Sequence, residues 1–521
     1  MKPTPPFSWE LIPELEIAAF EELKPRLLGA WEALTGHDEN PYTSVIVPSL
    51  TLDRSGLEKL EGASFYEERL LFLLIRLRNP RARMVYVTSQ PVHPMILEYY
   101  FQLLAGIPAS HARARLTLLC AYDSSPRPLT EKVLERPRLI ERIRHGIADP
   151  LRSYLTVFNS TVLERRLAVL LGIPMNGCDP ALCHLGTKSG SRKVFREAGV
   201  PLPAGVEDLR DQGDVEEALV ELKRRNLGLR KAVVKLDDSF SGEGNAIFRY
   251  PDPASAAPAE ITRAAVREAL PELELSVAGE SPAAYFAKYA AMGGVVEELI
   301  EGEGKLSPSA QLRISPHGEV LPISTHDQIL GGPSGQVFLG CTFPARDEYR
   351  LRIQQAGVEI GKVLAGRGVV SRFGVDFLVW RDGAGESAAW QMAALEINLR
   401  MGGTTHPFLA LQFLTGGALD SATGLFLSAT SHVKYYRATD NLHSAAYCGL
   451  LPDDLIEILT DNRLHYSHGT ESGVLFHLIG AVSEFGKLGV TAIGDSHQLA
   501  AEIYGRTLAV LDRETTYGQD R

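Results

Sequence analysis

Residues 395–400, with the sequence LEINLR, alternate apolar and polar side chains. Because alternate residues of a β-strand share one face, a strand here would place Glu396, Asn398 and Arg400 together. A carboxylate, an amide oxygen and a guanidinium suit Mg²⁺ and a phosphate group, since Mg²⁺ usually binds through one or two carboxylates plus substrate phosphates. An ordinary amphipathic strand with a solvated polar face explains the same pattern, and this segment alone favours that alternative.

A strand pattern at residues 373–380 precedes this segment. It is followed by a turn at residues 381–383, and the chain returns as residues 390–400. A hairpin of this kind would place Asp376 beside Glu396 and Asn398. The sequence therefore predicts a site with three oxygen ligands.

A lysine and a glycine-rich segment lie further upstream. Lys235 ends the apolar run 232–235 and comes shortly before residues 239–245, SFSGEGN. Glycines and hydroxyls there would let backbone N–H groups approach phosphate oxygens, while the lysine supplies a point charge. A plain hairpin turn explains the glycines equally well, and the spacing does not match a Walker loop. The candidate phosphate contacts in the loop are Ser239, Ser241, Gly242 and Gly244.

Two further segments carry candidate residues. Lys188 opens a basic stretch that predicts a short helix ending at Gly199, and a solvated surface helix is the alternative. Residues 293–303 form an apolar strand that breaks at glycine among carboxylates. Such a strand edge can pair with an adenine while a carboxylate binds ribose hydroxyls, although alone it is only an acidic strand end.

The length of 521 residues exceeds a single core and predicts three or four units of domain size. In the first unit, buried strand patterns at 44–47, 84–87, 116–120 and 154–158 alternate with helical patterns at 67–77, 95–104, 129–144 and 161–171. This alternation predicts an open parallel sheet with helices on both faces. No GxGxxG follows these strands, which argues against a dinucleotide site.

Charge and composition exclude other classes. The net charge of -11 argues against a nucleic-acid-binding surface. The five scattered cysteines indicate reduced thiols in a cytoplasm. The start of the chain lacks the features of a signal peptide, and the longest apolar run, 70–75, is too short to span a membrane. We therefore expect a cytoplasmic protein with no membrane or nucleic-acid partner.

Taken in this order, the segments between roughly residues 185 and 425 resemble the ATP-grasp superfamily. The ordered set, rather than any single motif, carries the resemblance. It implies that Lys188 and Lys235 contact ATP phosphates and that residues 239–245 form a mobile flap. It also implies that Mg²⁺ is bound by Asp376, Glu396 and Asn398 and that the acyl phosphate is steadied by the catalytic Arg400. The implied adenine contacts are Glu297, Glu298 and Ile300, and the implied ribose contact is Glu303. Glu303 departs from the family pattern because Gly304 and Lys305 follow it, rather than a strand at once.

Segments 325–332, 340–345, 472–478 and 484–494 are similar to a narrower branch, the pheganomycin-type peptide ligases. The resemblance implies an α/β chain, α+β in its grasp core, with four domains. These are a Rossmann-like pre-ATP-grasp domain (1–182), an N-lobe with the flap (183–304), a C-lobe with the magnesium site (305–430) and a small appended α/β domain (431–521).

The implied function is an ATP-dependent carboxylate–amine, or peptide, ligase that works through an acyl phosphate and releases ADP and phosphate. Lys235 and Arg400 would be catalytic, and small-molecule or peptide acids and amines would be the substrates of a homodimer. His326 and Asp327 would either contact substrate or belong to a polar loop whose side chains form hydrogen bonds with the loop's own backbone. The apolar run around His477 favours a position in the core for this residue, and a role in closing the substrate pocket is the alternative. The competing functions are a nucleotide-binding sensor or scaffold without ligase activity, and an ATP-grasp enzyme with a non-amine acceptor.

Overall fold

The structure, a computed structural model, describes residues 12–35, 40–52, 54–239, 244–251, 261–277, 279–302, 304–331, 337–381 and 389–517. The candidates Ser241, Gly242 and Glu303 lie outside the described residues. Within these ranges, no helix has the length and apolar character needed to cross a membrane.

The N-terminal unit contains five strands: β1 (Thr43–Val47), β2 (Arg83–Thr88), β3 (Leu116–Cys120), β4 (Ser153–Val157) and β5 (Met175–Asn176). They form one parallel sheet in the order β3-β2-β1-β4-β5, as the sequence predicts. Its α-helices are α1 (Pro13–Leu23), α2 (Leu27–Thr35), α3 (Arg54–Lys59), α4 (Pro94–Gln102), α5 (Ala109–Arg113), α6 (Leu129–Leu134), α7 (Pro137–Gly146) and α8 (Val162–Leu171). The central strand β1 is buried along its whole length, which fits the apolar run of its last three residues, Val45, Ile46 and Val47.

Two helical predictions in this unit are corrected by the structure. The helix predicted over 129–144 is divided into α6 and α7, because Pro137 has no N–H group to continue a helix and instead begins one. The α-helix predicted over 67–77 is a run of 3₁₀ turns, Ala63–Arg78. Three consecutive polar residues of this run bond to three separate parts of the chain: Glu67 to Ser89, Glu68 to Gly480 and Arg69 to Asp440. These tertiary contacts override the helical period of the sequence.

A second, antiparallel sheet follows. Its strands are β6 (Gly205–Leu209), β7 (Lys231–Leu236), β8 (Asn245–Arg249), β9 (Glu274–Leu275) and β10 (Gly294–Glu298), in the order β6-β10-β7-β8-β9. The helices of this part are α9 (Lys188–Glu197), α10 (Gln212–Arg225), α11 (Arg263–Ala269) and α12 (Pro282–Met292). The core between sheet and helices includes Phe248, Tyr285 and Tyr289.

The remaining strands are β11 (Pro308–Ile314), β12 (Val320–Gly331), β13 (Val337–Phe343), β14 (Arg372–Arg381), β15 (Trp390–Asn398), β16 (Ala418–Asp420), β17 (Leu425–Leu427), β18 (Tyr435–His443), β19 (Gly473–His477) and β20 (Lys487–Gly494). Eight of them form one sheet in the order β15-β14-β11-β12-β13-β18-β20-β19, and β16 pairs with β17. The helices are α13 (Arg350–Gly366), α14 (Thr405–Thr415), α15 (Pro452–Asp461), α16 (Val482–Phe485) and α17 (His497–Tyr517). The C-terminal strands thus extend the sheet that carries Asp376 and Glu396.

Short 3₁₀ turns complete the described structure at Lys24–Arg26, Pro150–Arg152, Pro180–Gly186, Leu270–Glu272, Ala445–Tyr447 and Ile479–Ala481. The mixed α/β fold class predicted from the sequence is confirmed.

Candidate active site

The hairpin of β14 and β15 brings the predicted oxygen ligands together. Asp376 lies directly opposite Glu396 in the strand register. The side-chain nitrogen of Asn398 donates hydrogen bonds to Asp376 Oδ2 and Glu396 Oε1, both at 3.0 Å. From β12, Gln328 Nε2 donates to Asp376 Oδ1 at 2.6 Å. The hairpin and the proximity of these three side chains are as the sequence predicts.

The charges of this pair suit a divalent cation. Burial and the neighbouring Glu396 raise the pKa of Asp376, whereas Lys188 and Asn398, against the effect of burial, hold the pKa of Glu396 below its usual range. Two carboxylates in contact with the same amide repel each other, and a shared cation would relieve that repulsion. The described residues contain no cluster of three or more His, Cys, Asp or Glu side chains with metal-binding geometry. Two carboxylates and an amide are oxygen donors of the kind that fits Mg²⁺, which keeps water and phosphate ligands besides one or two carboxylates.

Lys188 is the first residue of α9. Thr187 caps this helix by accepting a hydrogen bond from Gly190 N at 3.0 Å, and Lys188 Nζ contacts Glu396 Oε2. The first turn of α9 is buried against β15, where Ser191 Oγ accepts from Ile397 N at 3.0 Å. A solvated surface helix is therefore wrong for this half of α9, because its polar side chains have buried partners.

Lys235 belongs to a second ionic cluster. Its Nζ contacts Glu297 Oε2, and Arg192 Nη1 donates to Glu297 Oε1 at 2.6 Å. Against the effect of burial, these two cations hold the pKa of Glu297 below its usual range. The cluster ties α9, β7 and β10 together around a carboxylate that is only 2% exposed.

The other predicted adenine contacts lie where β10 ends. Glu298 Oε1 accepts a hydrogen bond from Ala204 N at 2.8 Å. Ile300 is half-buried, and its carbonyl accepts from Lys305 Nζ at 3.2 Å. Both residues follow Glu297 along the chain, so the predicted adenine strand is adjacent to Lys235.

The glycine-rich segment connects the antiparallel strands β7 and β8, with Lys235 opposite Asn245. A Cβ on Gly244 would lie 2.5 Å from Ser239 Cβ, so the close approach of these two residues requires glycine. The Ser239 hydroxyl is buried and has no hydrogen-bond partner among the described residues. Its role as a phosphate contact stays a prediction.

Arg400 follows β15 and is partly buried. Burial lowers its pKa, and the carboxylates of Glu396, Asp376 and Asp238 oppose that effect. Since Asp238 belongs to the connection between β7 and β8, the described start of that connection lies near Arg400. The arrangement brings a guanidinium beside the predicted metal ligands.

The two predicted substrate contacts on β12 point to opposite faces of the sheet, as neighbouring strand residues do. His326 is fully buried, shares a 2.6 Å hydrogen bond with the Tyr436 hydroxyl, and has its pKa lowered to about 3 by burial. Asp327 accepts hydrogen bonds from the Tyr349 hydroxyl at 2.6 Å and from Arg346 N at 3.1 Å. The structure does not bring Asp327 to the metal ligands.

His477 is buried against His406, and their ring centroids are 3.9 Å apart. This placement agrees with the core position favoured from the sequence. Burial lowers the pKa of His477 to about 3, so the ring is neutral.

Three residues near the site are absent from the sequence-based candidates: Gln328, Arg313 and Arg372. Arg313 lies directly opposite Arg372 on the neighbouring strands β11 and β14. The alternation of side chains along a strand could have indicated the two arginines. Arg372 shares a strand face with Asp376, and Arg313 shares one with Ser309 and Gln311. That signal needs the pairing of β11 with β14, which is not local in sequence.

Comparisons with known proteins find related chains. A family model described as "IQCH-like, ATP-grasp" matches residues 180–252 and 280–422, and one described as "PGM1 C-terminal domain" matches residues 454–507. The L-propargylglycine--L-glutamate ligase of Streptantibioticus cattleyicolor is 32% identical over 489 residues, which cover 92% of this chain and 96% of that protein. The IQ motif-containing protein H of Danio rerio is 24% identical over 422 residues, which cover 73% of this chain and 40% of that protein.

Solved structures share the fold. The ADP complex of purK, N5-carboxyaminoimidazole ribonucleotide synthetase, matches with a TM-score of 0.51 and 13% identity over 91% of this chain and 97% of that one. The biotin carboxylase domain of the Hydrogenobacter thermophilus 2-oxoglutarate carboxylase matches with a TM-score of 0.51 and 12% identity, covering 90% and 89%. Because a ligase is matched along nearly the whole chain and the ATP-grasp model spans the segments that carry Lys188 and Glu396, the chain belongs to the ATP-grasp family, as its sequence predicts.

Proposed function

We propose that the protein is an ATP-dependent ligase that joins a carboxylate to an amine and releases ADP and phosphate. The observation that carries the proposal is the register pair Asp376–Glu396, with Asn398 bonded to both carboxylates and Lys188 in contact with Glu396. Oxygen ligands next to cations are what the transfer of a phosphoryl group from ATP to a carboxylate needs.

The reaction has two steps. A carboxylate oxygen of the acid attacks the γ-phosphorus of ATP, ADP leaves, and an acyl phosphate forms. The amine nitrogen then attacks the acyl carbon, phosphate leaves with the electron pair of the broken bond, and the nitrogen loses one proton. Neither step needs a nucleophile from the protein.

The side chains act by position and charge. Asp376, Glu396 and Asn398 would hold Mg²⁺, which when bound neutralises and orients the phosphates. Lys188 and Lys235 would supply point charges to phosphate oxygens, and the planar fork of Arg400 suits the acyl phosphate. Phosphoryl transfer gains most from such positioning and charge neutralisation.

The proposed substrates are amino acids or short peptides. The support is the name of the ligase relative, which specifies two amino acids and applies to that protein over 96% of its length. The homodimer and the cytoplasmic location stay predictions from the sequence.

The test measures ADP release with a pool of amino acids and short peptides, ATP and Mg²⁺, and analyses the products by mass spectrometry. We expect ADP to form in step with an amide and only when both an acid and an amine are present. A sensor would bind ATP without turnover, and an enzyme with another acceptor would release ADP without an amide product. Either result would contradict the proposed function.

A further inference from the structure

Two arginines lie opposite each other on the face of the sheet that carries the metal ligands, and a third lies close by. Arg313 of β11 is directly opposite Arg372 of β14. Arg400, two residues after the end of β15, lines one cavity together with Arg372. We call these three arginines the row.

Arg313 and Arg372 lack counter-charges among the described residues, whereas Arg400 lies near the carboxylates of Glu396 and Asp376. In the part of the chain that the structure describes, no carboxylate forms an ion pair with Arg313 or Arg372, and no carboxylate affects their pKa values. Burial, reinforced by Arg313 and Arg76, lowers the pKa of Arg372 to about 9, and burial lowers that of Arg313 to about 10. Like charges directly opposite each other on adjacent strands are destabilising, so an anion would stabilise the row.

Arg313 has partners, but not enough of them. Its Nη2 donates to Asn176 Oδ1 at 2.7 Å, and its guanidinium lies 4.3 Å from the ring centroid of Trp31. Its side chain is more than nine-tenths buried, yet its Nε has no hydrogen-bond partner among the described residues. An unpaired buried donor of a charged group is costly, and an acceptor nearby would remove that cost.

Arg372 lines two small cavities. One is also lined by Phe158, Gly177 and Arg400. The other lies between Ser324 and the start of α14. Ser324 is 2% exposed, and its hydroxyl has no hydrogen-bond partner within the described ranges. Arg372 thus shares one cavity with Arg400 and the other with the buried hydroxyl of Ser324.

We propose that Arg372, with Arg313 and Ser324 beside it, binds a second carboxylate of the acid substrate. The inference rests on the proposed ligase function and names its substrate class: a dicarboxylic acid or amino-dicarboxylic acid. One carboxylate would react near Arg400, while the other is held by Arg372, which lines the same cavity, so that a few carbon atoms would join the two groups. The guanidinium fork matches a carboxylate with two parallel hydrogen bonds.

The direct test is calorimetric binding of glutarate and of its monoamide, glutaramate, in the presence of a non-hydrolysable ATP analogue and Mg²⁺. We expect the parent protein to bind glutarate about 10- to 100-fold more tightly, because a charged hydrogen-bonded pair replaces a neutral one. Arg372→Gln should lose this preference. Arg381→Gln should keep it, since Arg381 stacks on Trp390 at the far end of β14. Arg372→Lys keeps the charge without the fork and should reduce the preference several-fold, which provides a second variant if Arg372→Gln does not fold.

Equal binding of the two ligands by the parent protein, or an unchanged preference in the Arg372 variants, would overturn the inference. So would an equal loss of affinity for the ATP analogue in Arg372→Gln, since Arg372 would then serve the nucleotide. Tighter binding of 4-phosphonobutyrate than of glutarate would assign the site to a phosphate and overturn the carboxylate assignment. Failure of the ligase proposal looks different: no acid and amine pair would release ADP, whereas glutarate binding would still depend on Arg372.

Discussion

Lys188 and Glu396 are 208 residues apart in the sequence, yet Lys188 Nζ contacts Glu396 Oε2. The contact joins the first turn of α9 to β15, and the side-chain nitrogen of Asn398 donates a hydrogen bond to the other carboxylate oxygen of Glu396. A predicted phosphate-binding lysine and a predicted metal ligand are therefore held by one ion pair. Because Lys188 lies on a helix and Glu396 on a strand, small shifts of α9 against β15 would move the metal ligand.

The first prediction concerns the charge of Glu396. Glu396→Gln keeps the size of the side chain but removes its charge and one of its two acceptor oxygens, and with them a metal ligand. We therefore expect ATP-dependent ligation to fall at least about 100-fold, since even outer-shell changes at metal sites cost about 10–100-fold. Steady-state ADP release measures the effect. Glu359→Gln, at an exposed carboxylate on α13 bonded to Lys362, is the control and should stay within a few-fold of the parent. Near-parent activity of Glu396→Gln would refute the assignment.

The second prediction tests how α9 positions Lys188. A Cβ on Gly190 would lie 2.1 Å from the carbonyl oxygen of His184, so Gly190→Ala must displace the start of the helix. We expect ligation to fall about 10-fold or more, with a loss of stability of about 1–3 kcal/mol from overpacking. Gly29→Ala, in α2 where nothing lies within 4 Å of the new Cβ, is the matched control for kinetics and thermal unfolding. Parent-like kinetics for Gly190→Ala would show that the helix start tolerates the shift.

The third prediction separates two lysines of the same lobe. Lys235→Ala should weaken ATP binding, because Lys235 lies in the ionic cluster with Glu297 at the start of the glycine-rich connection. Lys193→Ala should not, since Lys193 pairs with Asp208 on the surface, where both side chains are about half exposed and such pairs contribute little. Titration calorimetry with an ATP analogue compares them. Equal losses would mean that Lys235 contacts the phosphates no more closely than the surface residue Lys193 does.

Much of this architecture could be predicted from local pattern. Most strands of the N-terminal sheet contain short, mainly apolar runs that alternate with helical patterns, and this alternation predicts a parallel sheet. The strand patterns on both sides of the turn predict the β14–β15 hairpin, and the structure places Asp376 opposite Glu396 despite an irregularity in the register between Asp376 and Phe377. The comparisons confirm the predicted family and its ligase class.

Long-range pairing could not be predicted in the same way. Only the pairing of β11 with β14 places Arg313 opposite Arg372, and only the pairing of β13 with β18 attaches the C-terminal strands to the site's sheet. The local sequence also could not show which of His326 and Asp327 lies near the metal ligands, because that depends on which elements cover each face of β12. Local periodicity likewise failed at residues 63–78, where partners from three parts of the chain decide the conformation.

The fourth prediction concerns acid stability. Burial lowers the pKa of His326 to about 3, while an unfolded histidine titrates near about 6.5. Between these values the unfolded chain binds more protons than the native one, so this residue contributes stability that is present above about pH 6.5 and is lost as the pH falls. At pH 5 the loss is about 2 kcal/mol.

Thermal unfolding of the parent and of His326→Phe at about pH 8 and about pH 5 measures this effect. The variant leaves the Tyr436 hydroxyl without its partner at both pH values, so that cost cancels from the comparison. We expect the drop in unfolding temperature from the higher to the lower pH to be smaller in the variant. His145→Gln, at an exposed histidine, should behave like the parent. An identical drop in His326→Phe would mean that His326 takes up no proton on unfolding.

The last prediction is that residues 239–245 order over the bound nucleotide. The Ser239 hydroxyl is buried without a partner among the described residues, Gly244 approaches Ser239 too closely for any side chain, and Asp238 lies near Arg400. A closed cover there would exclude water and protect an acyl phosphate from hydrolysis. Hydrogen exchange with and without an ATP analogue and Mg²⁺ should show protection gained through this connection and none in α10. Gly244→Ala should raise ATP hydrolysis relative to amide formation, since its Cβ would meet Ser239. Equal protection in both states would make the segment an ordinary hairpin turn, because a cover that closes on the nucleotide must exchange more slowly when the nucleotide is bound.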